Sequence, residues 1–175
     1  MPSETPEFDS PVMGQDILLI PEAAAKIAEM LDDSTWARDM TLSDVQKMTG
    51  HMTLVRRVQG DIVFREGDVD ERYLAIILKG AVEIVKSDAH EGVATRFLIK
   101  MGPGRAFGEM ALIEGAPRSA TAVVAEDAWL LLLSDAELEK LCAEDGRLGL
   151  KILRNIARLL SFRLRHTSAR LLNAL

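Results

Sequence analysis

Residues 73–86 read YLAIILKGAVEIVK, which is two apolar runs of strand length separated by Lys79-Gly80. Short runs of this kind, rich in Val, Ile and Leu, recur between residues 53 and 133, with glycines or Gly-Asp pairs between them. Many short strands at this spacing are typical of an antiparallel sandwich or barrel. The candidate strands are 53–58, 62–65, 73–78, 81–86, 94–101, 120–125 and 128–133.

Helices are predicted on both sides of these strands. Pro21 can occupy a first helical turn. A second helix is predicted to begin near Thr41 or Ser43, with Asp44 or Gln46 three residues on at capping-box spacing, and to end by Gly50. After the strands, Ser134 begins a capping box and a helix to about Cys142, and a longer helix is predicted over 147–172. This order predicts an α+β fold: an antiparallel, jelly-roll-like β-roll with N-terminal helices and two C-terminal helices.

The chain divides into three predicted parts. Residues 1–20 contain three prolines and several acids, and we expect a mobile tail there. Residues 21–50 are expected to form an N-terminal helical segment. Residues 51–175 are expected to form one domain that includes the last helix.

The composition is that of an ordinary globular protein, with 48% hydrophobic and 27% charged residues. No apolar run has the length that crosses a bilayer, and the N-terminus lacks the basic start and apolar stretch of a signal peptide. The single cysteine, Cys142, excludes an internal disulfide. We therefore expect a cytoplasmic protein without membrane insertion.

Charge is distributed unevenly along the chain. The net charge of −6 argues against general nucleic-acid binding. Residues 1–50 carry ten acidic and three basic side chains, whereas residues 147–175 carry seven basic ones and no acid. We expect these two segments to attract each other or to pack together. The alternative is that the basic helix faces an anionic membrane surface or an acidic partner protein.

Residues 102–121, GPGRAFGEMALIEGAPRSAT, do not have the pattern of a strand. Residues 108–113 can form one or two turns of helix, which Gly115 ends and beyond which Pro117 blocks continuation. A short helix between strands exposes backbone N–H groups at its start, and such groups bind anions. The small residues Gly108 and Ala111 allow a ligand to approach the backbone.

The polar side chains of the same stretch indicate the chemistry of that ligand. The guanidinium of Arg118 can donate to two phosphate oxygens at once, and Ser119 adds a hydroxyl donor. Glu109 can accept a hydrogen bond from a ribose hydroxyl and can also hold Arg118 in position. The pattern predicts a phosphate, a free sugar hydroxyl and an apolar wall for a base.

The stretch from Phe107 to Leu112 and the residues Pro117-Arg118-Ser119-Ala120-Thr121 resemble the phosphate-binding cassette of cyclic-nucleotide-binding domains. That family includes the catabolite activator protein, kinase regulatory subunits and cyclic-nucleotide-gated channels. The resemblance covers roughly residues 42–164. It implies a sensor of cAMP, or less readily cGMP, that is not an enzyme and has no catalytic residue, metal or cofactor.

The resemblance also implies a role for each cassette residue. Glu109 would receive the ribose 2′-hydroxyl, and Arg118 and Ser119 would bind the cyclic phosphate. Counting residues from Arg118 places Arg163 near the position that covers the base. The expected ligand-binding residues are Phe107, Gly108, Glu109, Met110, Ala111, Arg118, Ser119, Ala120 and Arg163.

Other classes of function fit the sequence less well. A cupin-type metalloenzyme would need a His-x-His cluster, which the three histidines do not form. A transcription factor of the catabolite-activator kind would need a helix-turn-helix unit after the long helix, for which the chain leaves no room. A partner- or membrane-surface-binding module built on the basic last helix is the remaining alternative.

The last helix has two apolar stripes. Residues 150, 153, 157, 160, 164, 167, 171 and 174 follow a heptad pattern, and Ile152, Ile156 and Leu159 form a second stripe that can face the strands. One helix with two apolar faces predicts a homodimer through the first stripe, with ligand binding relayed through the terminal helices to a downstream protein partner. The alternative is that both stripes pack within one chain.

Overall fold

A computed structural model describes residues 10–33, 37, 39–86 and 96–172 of the chain. In chain order its elements are β1 (Val12–Met13), a 3-10 helix (Gly14–Leu19), α1 (Pro21–Asp33), α2 (Leu42–Thr49), β2 (Thr53–Arg57), β3 (Ile62–Phe64), β4 (Tyr73–Lys86), β5 (Arg96–Met101), β6 (Ala106–Phe107), α3 (Glu109–Glu114), β7 (Thr121–Ser134), α4 (Asp135–Glu144) and α5 (Gly146–Leu172).

The seven strands form one antiparallel sheet. The strand order is β1-β2-β7-β4-β5, while β3 pairs with β7 and β6 pairs with β4. The predicted α+β fold with an antiparallel roll is confirmed. The sheet is not a closed barrel, because β1 and β5 lie at opposite ends of this strand order.

The two longest strands, β4 and β7, each cover a pair of strands that the sequence predicted as separate. Gly80 does not end β4: it has φ +80°, and the pairing with β7 shifts register on both sides of it. A Cβ at position 80 would lie 2.2 Å from the carbonyl oxygen of Asp127 on β7. The glycine is therefore required by a bulge where the two strands approach closely, and the predicted breaks in both strands are wrong.

The sheet curls so that the two ends of β4 approach the same loop. An extended strand from Tyr73 to Val85 would span about 40 Å. Arg118 nevertheless donates to the carbonyl oxygen of Tyr73, while Thr121, three residues further on, pairs with Val85. The three residues from Arg118 to Thr121, together with the arginine side chain, can bridge only about 20 Å, which is half the length of a straight β4. The strands therefore roll around an interior, and the loop before β7 lies at its mouth.

Alternate residues of β4 enter two different cores, because successive side chains of a strand point to opposite faces. Tyr73, Ala75 and Ile77 pack in the interior of the roll, together with Phe107 of β6 and residues of β7. Leu74, Ile76 and Leu78 pack against the helices on the other face. Both faces of β4 are thus buried from Tyr73 to Leu78, which accounts for the apolar run over those residues.

The N-terminal residues belong to the folded structure from residue 10 onward. β1 pairs with β2, and Ile17 of the 3-10 helix is fully buried. The predicted mobile tail is therefore wrong for residues 10–20, and residues 1–9 lie outside the described part. Helix α1 begins at Pro21 as predicted. The division into an N-terminal helical segment, residues 21–50, and a domain over residues 51–175 stays a prediction. Helices α1 and α2 share a core with the sheet.

The helix starts follow their capping signals. Thr41 accepts a hydrogen bond from the Asp44 backbone N–H, and the Asp44 side chain accepts one from the Thr41 N–H, so the predicted capping box is present. Ser134 accepts from the backbone N–H of Glu137 at the start of α4. In both cases, residue types and spacing alone located the helix start.

Helix α5 buries one of its two apolar stripes. Ile152 and Ile156 are buried in the core shared by the sheet and helices, and Leu159 packs against that core, as predicted. Leu150, Leu153 and Leu164 of the other stripe are 49%, 40% and 69% exposed. In the described part of the chain, no helix has both the length and the apolar character that crossing a membrane requires.

The acidic N-terminal segment and basic α5 are in contact, as their charges predicted. Asp44 of α2 pairs with Arg147 and Lys151, and Asp39 pairs with Arg158. These contacts place the start and the middle of α5 against the N-terminal segment.

Candidate functional site

The cassette backbone turns sharply between β6 and α3. Gly108 has φ +81° and caps α3, and Gly115 has φ +66° at the other end of that helix. A Cβ at position 108 would lie 2.8 Å from the Tyr73 carbonyl oxygen and 2.9 Å from Arg118 Nη1. Glycine at position 108 therefore serves both the left-handed turn and the close approach of Arg118. The predicted short helix and its stop at Gly115 are confirmed.

Arg118 is a buried cation held by neutral groups. Only 3% of the residue is exposed. Its Nη1 donates to the carbonyl oxygens of Tyr73 and Gly108, both at 3.1 Å, and its Nη2 donates to that of Glu71 at 2.7 Å. The rings of Phe64 and Tyr73 lie 4.1 and 4.4 Å from the guanidinium carbon, within cation–π range.

The burial of Arg118 has an electrostatic consequence. Desolvation lowers the pKa of its guanidinium. An arginine nevertheless remains charged at neutral pH, since its ordinary pKa is above about 12. Its Nε is buried and has no hydrogen-bond partner among the described residues. The described structure thus presents a desolvated positive charge with one buried nitrogen, Nε, that makes no hydrogen bond.

Glu109 is buried and pairs with the last helix. The residue is 1% exposed, and its Oε1 accepts a hydrogen bond from Arg163 Nη1. Its Oε2 is buried without a hydrogen-bond partner among the described residues. The expectation that Glu109 could hold Arg118 is wrong for this structure: the cation on Glu109 is Arg163, and Arg118 is held by carbonyls.

Arg163 reaches the cassette from α5. Besides Glu109, it donates through Nη2 to the carbonyl oxygen of Ala106 at 2.6 Å, and that atom lies 3.7 Å from Met101 Sδ. The residue count from Arg118 therefore selected a residue that the fold brings to the site. It did not reveal the partner, because the count gives position along a helix and not the contacts made there.

The remaining predicted residues surround this pair of buried charges. Phe107 is buried and packs against Phe64, with ring centroids 5.9 Å apart. Ala111 and Ala120 are buried, whereas Ser119 and Met110 are exposed. The Ser119 hydroxyl lies 3.5 Å from the Met110 sulfur. The structure brings all nine predicted residues to the cassette and its rim, while their ligand contacts stay predictions.

Two aromatic residues of the site were missed at the level of sequence. Phe64 ends β3 and Tyr73 begins β4, and both were assigned only to strands. Their contact with Arg118 depends on the curl of the sheet, and no motif marks it. Their only sequence feature that could indicate a site is that both are aromatic residues at or next to predicted strand ends, and strand ends lie at the mouth of a roll.

A separate groove lies away from the cassette, between α2 and the junction of α4 and α5. It contains none of the predicted ligand-binding residues. Its lining is polar and of mixed charge: Gln15, Lys47, Gly50, His51, Lys140, Leu141, Glu144, Asp145 and Leu148.

Comparison with known proteins gives the family. The sequence profile of the cyclic nucleotide-binding domain matches residues 54–145. The cyclic AMP receptor protein of Thermus thermophilus is 38% identical over 113 residues, which cover 65% of this chain and 49% of the receptor. The cyclic nucleotide-gated potassium channel mll3241 of Mesorhizobium japonicum is 36% identical over 90 residues, which cover 51% of this chain and 22% of the channel.

A solved structure shares the whole fold. The cyclic nucleotide-binding domain from Methylobacillus flagellatus KT superposes with a TM-score of 0.80 at 28% identity, covering 95% of this chain and 89% of that one. The chain spans about half the length of the Thermus receptor and about a fifth of the channel. Since the profile covers more than half of the 175 residues, the chain belongs to the cyclic nucleotide-binding domain family.

Proposed function

We propose that this chain is a sensor of 3′,5′-cyclic nucleotides, with cAMP as the preferred ligand. The observation that carries the proposal is the pair of unused buried atoms in the cassette, Arg118 Nε and Glu109 Oε2. One is a donor on a cation and the other an acceptor on a carboxylate. A cyclic nucleotide supplies the complement of both, namely an anionic phosphate and a ribose hydroxyl.

Each charged residue has a distinct role in this proposal. Arg118 binds the cyclic phosphate, with Ser119 and the backbone amides near Gly108–Ala111 and at Ala120 as further donors. Glu109 uses Oε2 for the ribose 2′-hydroxyl while Oε1 stays with Arg163. Arg163 thus orients the carboxylate, so a sugar contact does not require that ion pair to break.

A relative supports cAMP over cGMP as the ligand. The Thermus relative at 38% identity is described as a cyclic AMP receptor. Ser119 also permits cGMP, because a hydroxyl directly after the arginine can reach a guanine base. A preference for cGMP that Ser119→Ala removes would contradict the choice of cAMP.

The experiment that tests the function is calorimetry with cAMP, cGMP and linear 5′-AMP. Wild type should bind cAMP well above 5′-AMP, and Arg118→Ala should lose about 2–5 kcal/mol of binding free energy, which is tens- to thousands-fold in affinity. Because Arg118 is buried, Arg118→Lys serves as a second variant that keeps the charge. Arg105→Ala, at an exposed position before β6, is the matched control. Equal binding of cAMP and 5′-AMP would refute the function.

The proposal assigns a regulatory role without catalysis, metal or cofactor, exercised in the cytoplasm. The ligand signal would leave through α5, because that helix contacts both the cassette and the N-terminal segment. Hydrogen exchange with and without nucleotide tests the relay. Protection should change together in residues 21–50 and 147–172; an N-terminal segment that ignores the ligand would refute it.

We also propose a homodimer through the exposed stripe of α5. Leu160 of this stripe packs against the core, but Leu150, Leu153 and Leu164 are exposed, which argues against the alternative that both stripes pack entirely within one chain. A second copy offers the same heptad pattern for pairing. Light scattering should give a dimer at micromolar concentration, and Leu153→Arg with Leu164→Arg should give a monomer. A monomeric wild type with and without nucleotide would refute the dimer.

The structure weakens the alternative of a basic helix that faces a membrane or an acidic partner. Four of its cations, Arg147, Lys151, Arg158 and Arg163, pair with acids of the same chain. More than half of the basic residues of α5 are thus paired within the chain.

A further inference from the structure

Two carboxylates are buried in the described part of the chain, Asp44 and Glu109, and both pair with cations of α5. Glu109 belongs to the cassette. Asp44 lies on α2, away from the cassette, in the contact through which the proposed relay reaches the N-terminal segment. A buried carboxylate is costly unless it is paired, so the position of α5 is fixed at two buried points.

Asp44 is held from three directions. Its Oδ1 accepts from Arg147 Nη2 at 2.9 Å, and its Oδ2 accepts from Lys151 Nζ at 2.6 Å and from the Thr41 N–H at 2.9 Å. Burial by itself would raise the pKa of Asp44, but the hydrogen bonds from Lys151 and Thr41 outweigh it and hold that pKa well below its ordinary range. The carboxylate is therefore charged when α5 is docked.

The two buried points lie far apart on one helix. Lys151 and Arg163 are twelve residues apart, which is about 18 Å along a helix axis. Between them, Arg158 pairs with Asp39, whose side chain is 64% exposed, and exposed pairs contribute little. A helix of this length moves as a unit, so the contact at Asp44 limits where Arg163 can lie.

We infer that Asp44 is a positioning residue for the nucleotide site, acting through α5 on Arg163 and thus on Glu109. This inference rests on the proposed function for its effect on affinity. With Asp44 in place, α5 is held at the rotation and height at which Arg163 reaches Glu109. Without the charge at Asp44, α5 keeps its apolar contacts through Ile152 and Ile156 but loses the polar contact that sets its rotation and height. Arg163 then holds Glu109 less firmly.

The test uses Asp44→Asn, which keeps the capping hydrogen bond to Thr41 and removes the charge. Asp39→Asn is the matched control, because it removes an exposed pair to the same helix and asparagine tolerates the φ of +66° at that position. Lys151→Met approaches the contact from the other side, in case Asp44→Asn does not fold.

The first measurement needs no ligand. Hydrogen exchange of the segment 106–114 in the nucleotide-free protein should become faster in Asp44→Asn and Lys151→Met, and should match wild type in Asp39→Asn. A merely structural role would speed exchange around α2 and the start of α5 and leave 106–114 unchanged. That outcome overturns the inference, whatever the protein binds.

The second measurement is a double-mutant cycle on the affinity for cAMP. Asp44→Asn should weaken binding roughly 3- to 30-fold in the wild-type background and by less than about twofold in Arg163→Met. An equal loss in both backgrounds would show that Asp44 does not act through Arg163. Wild type that binds no cyclic nucleotide, with the exchange effect intact, would refute the proposed function and leave the positioning role supported.

Discussion

Substitution of Gly108 by alanine separates two reasons for a glycine at the turn into α3. The first is backbone conformation, since φ is +81° and an L-residue in that region costs about 1–2 kcal/mol. The second is space, because the new Cβ would lie 2.8 Å from the Tyr73 carbonyl oxygen and 2.9 Å from Arg118 Nη1. Gly60→Ala is the matched control: it has φ +91° and no atom within 4 Å of its Cβ.

The magnitudes follow from those two terms. Both variants should lose stability because alanine is strained at positive φ, and Gly108→Ala should lose about 1–3 kcal/mol more of unfolding free energy through overpacking. For a chain of this size, about 2–4 °C of melting temperature corresponds to each kcal/mol. We therefore expect Gly108→Ala to melt about 2–12 °C below Gly60→Ala in calorimetry.

Part of the strain can be relieved at the expense of binding. The Tyr73 oxygen belongs to the backbone of a central strand, whereas the Arg118 guanidinium lies at the end of a side chain and can move. If it moves, it loses its bonds to Tyr73 and Gly108, and cAMP affinity should fall about 10- to 150-fold. Gly60→Ala should bind as wild type does. A Gly108→Ala protein as stable and as competent in binding as Gly60→Ala would refute the reasoning.

Three further predictions test separate contacts. Glu109→Gln should weaken cAMP binding about 10- to 150-fold in calorimetry, since a charge-assisted hydrogen bond to ribose is lost, while Glu114→Gln on the exposed end of α3 should not. The fold depresses the pKa of Asp44, so the ionised carboxylate stabilises the protein above about pH 4 and this stabilisation is lost as pH falls through the folded pKa. In urea titrations, the excess stability of wild type over Asp44→Asn should therefore shrink between about pH 5 and pH 2. An excess that grows over this range would contradict the prediction. Gly80→Ala should destabilise the protein by about 2–5 kcal/mol, because its Cβ would lie 2.2 Å from the Asp127 carbonyl oxygen. It should leave cAMP affinity within about twofold of wild type. A larger loss of affinity would show that the bulge contributes to binding.

Features specified by neighbouring residues were predictable from the sequence. The capping box at Thr41 and Asp44, the helix start at Pro21 and the stop at Gly115 each depend on residue types a few positions apart. The cassette belongs to the same class, because its turn, its short helix and Arg118 lie within one loop. The chemistry of these residues indicated an anion and a sugar before any fold was available.

Features that depend on a distant partner were not predictable in the same way. Gly80 has the appearance of a strand end, and only the opposing Asp127 makes it a bulge within one strand. β1 is two residues long and exists because β2 pairs with it. Counting residues from Arg118 placed Arg163 near the site, but the way α5 docks decides that its partner is Glu109.

The net charge of −6 is compatible with a site for an anion, because the relevant charges are local. Exposed carboxylates more than about 8–10 Å away are screened by salt, whereas a buried guanidinium acts in a medium of low dielectric constant. Arg118 is such a group, and its described hydrogen bonds go to neutral carbonyls, so none of them is used on a carboxylate. Asp44 and Asp39 of the N-terminal segment do not oppose it, since both pair with α5. The unequal charges at the two ends of the chain therefore position the last helix, and the charge of Arg118 remains available to a phosphate.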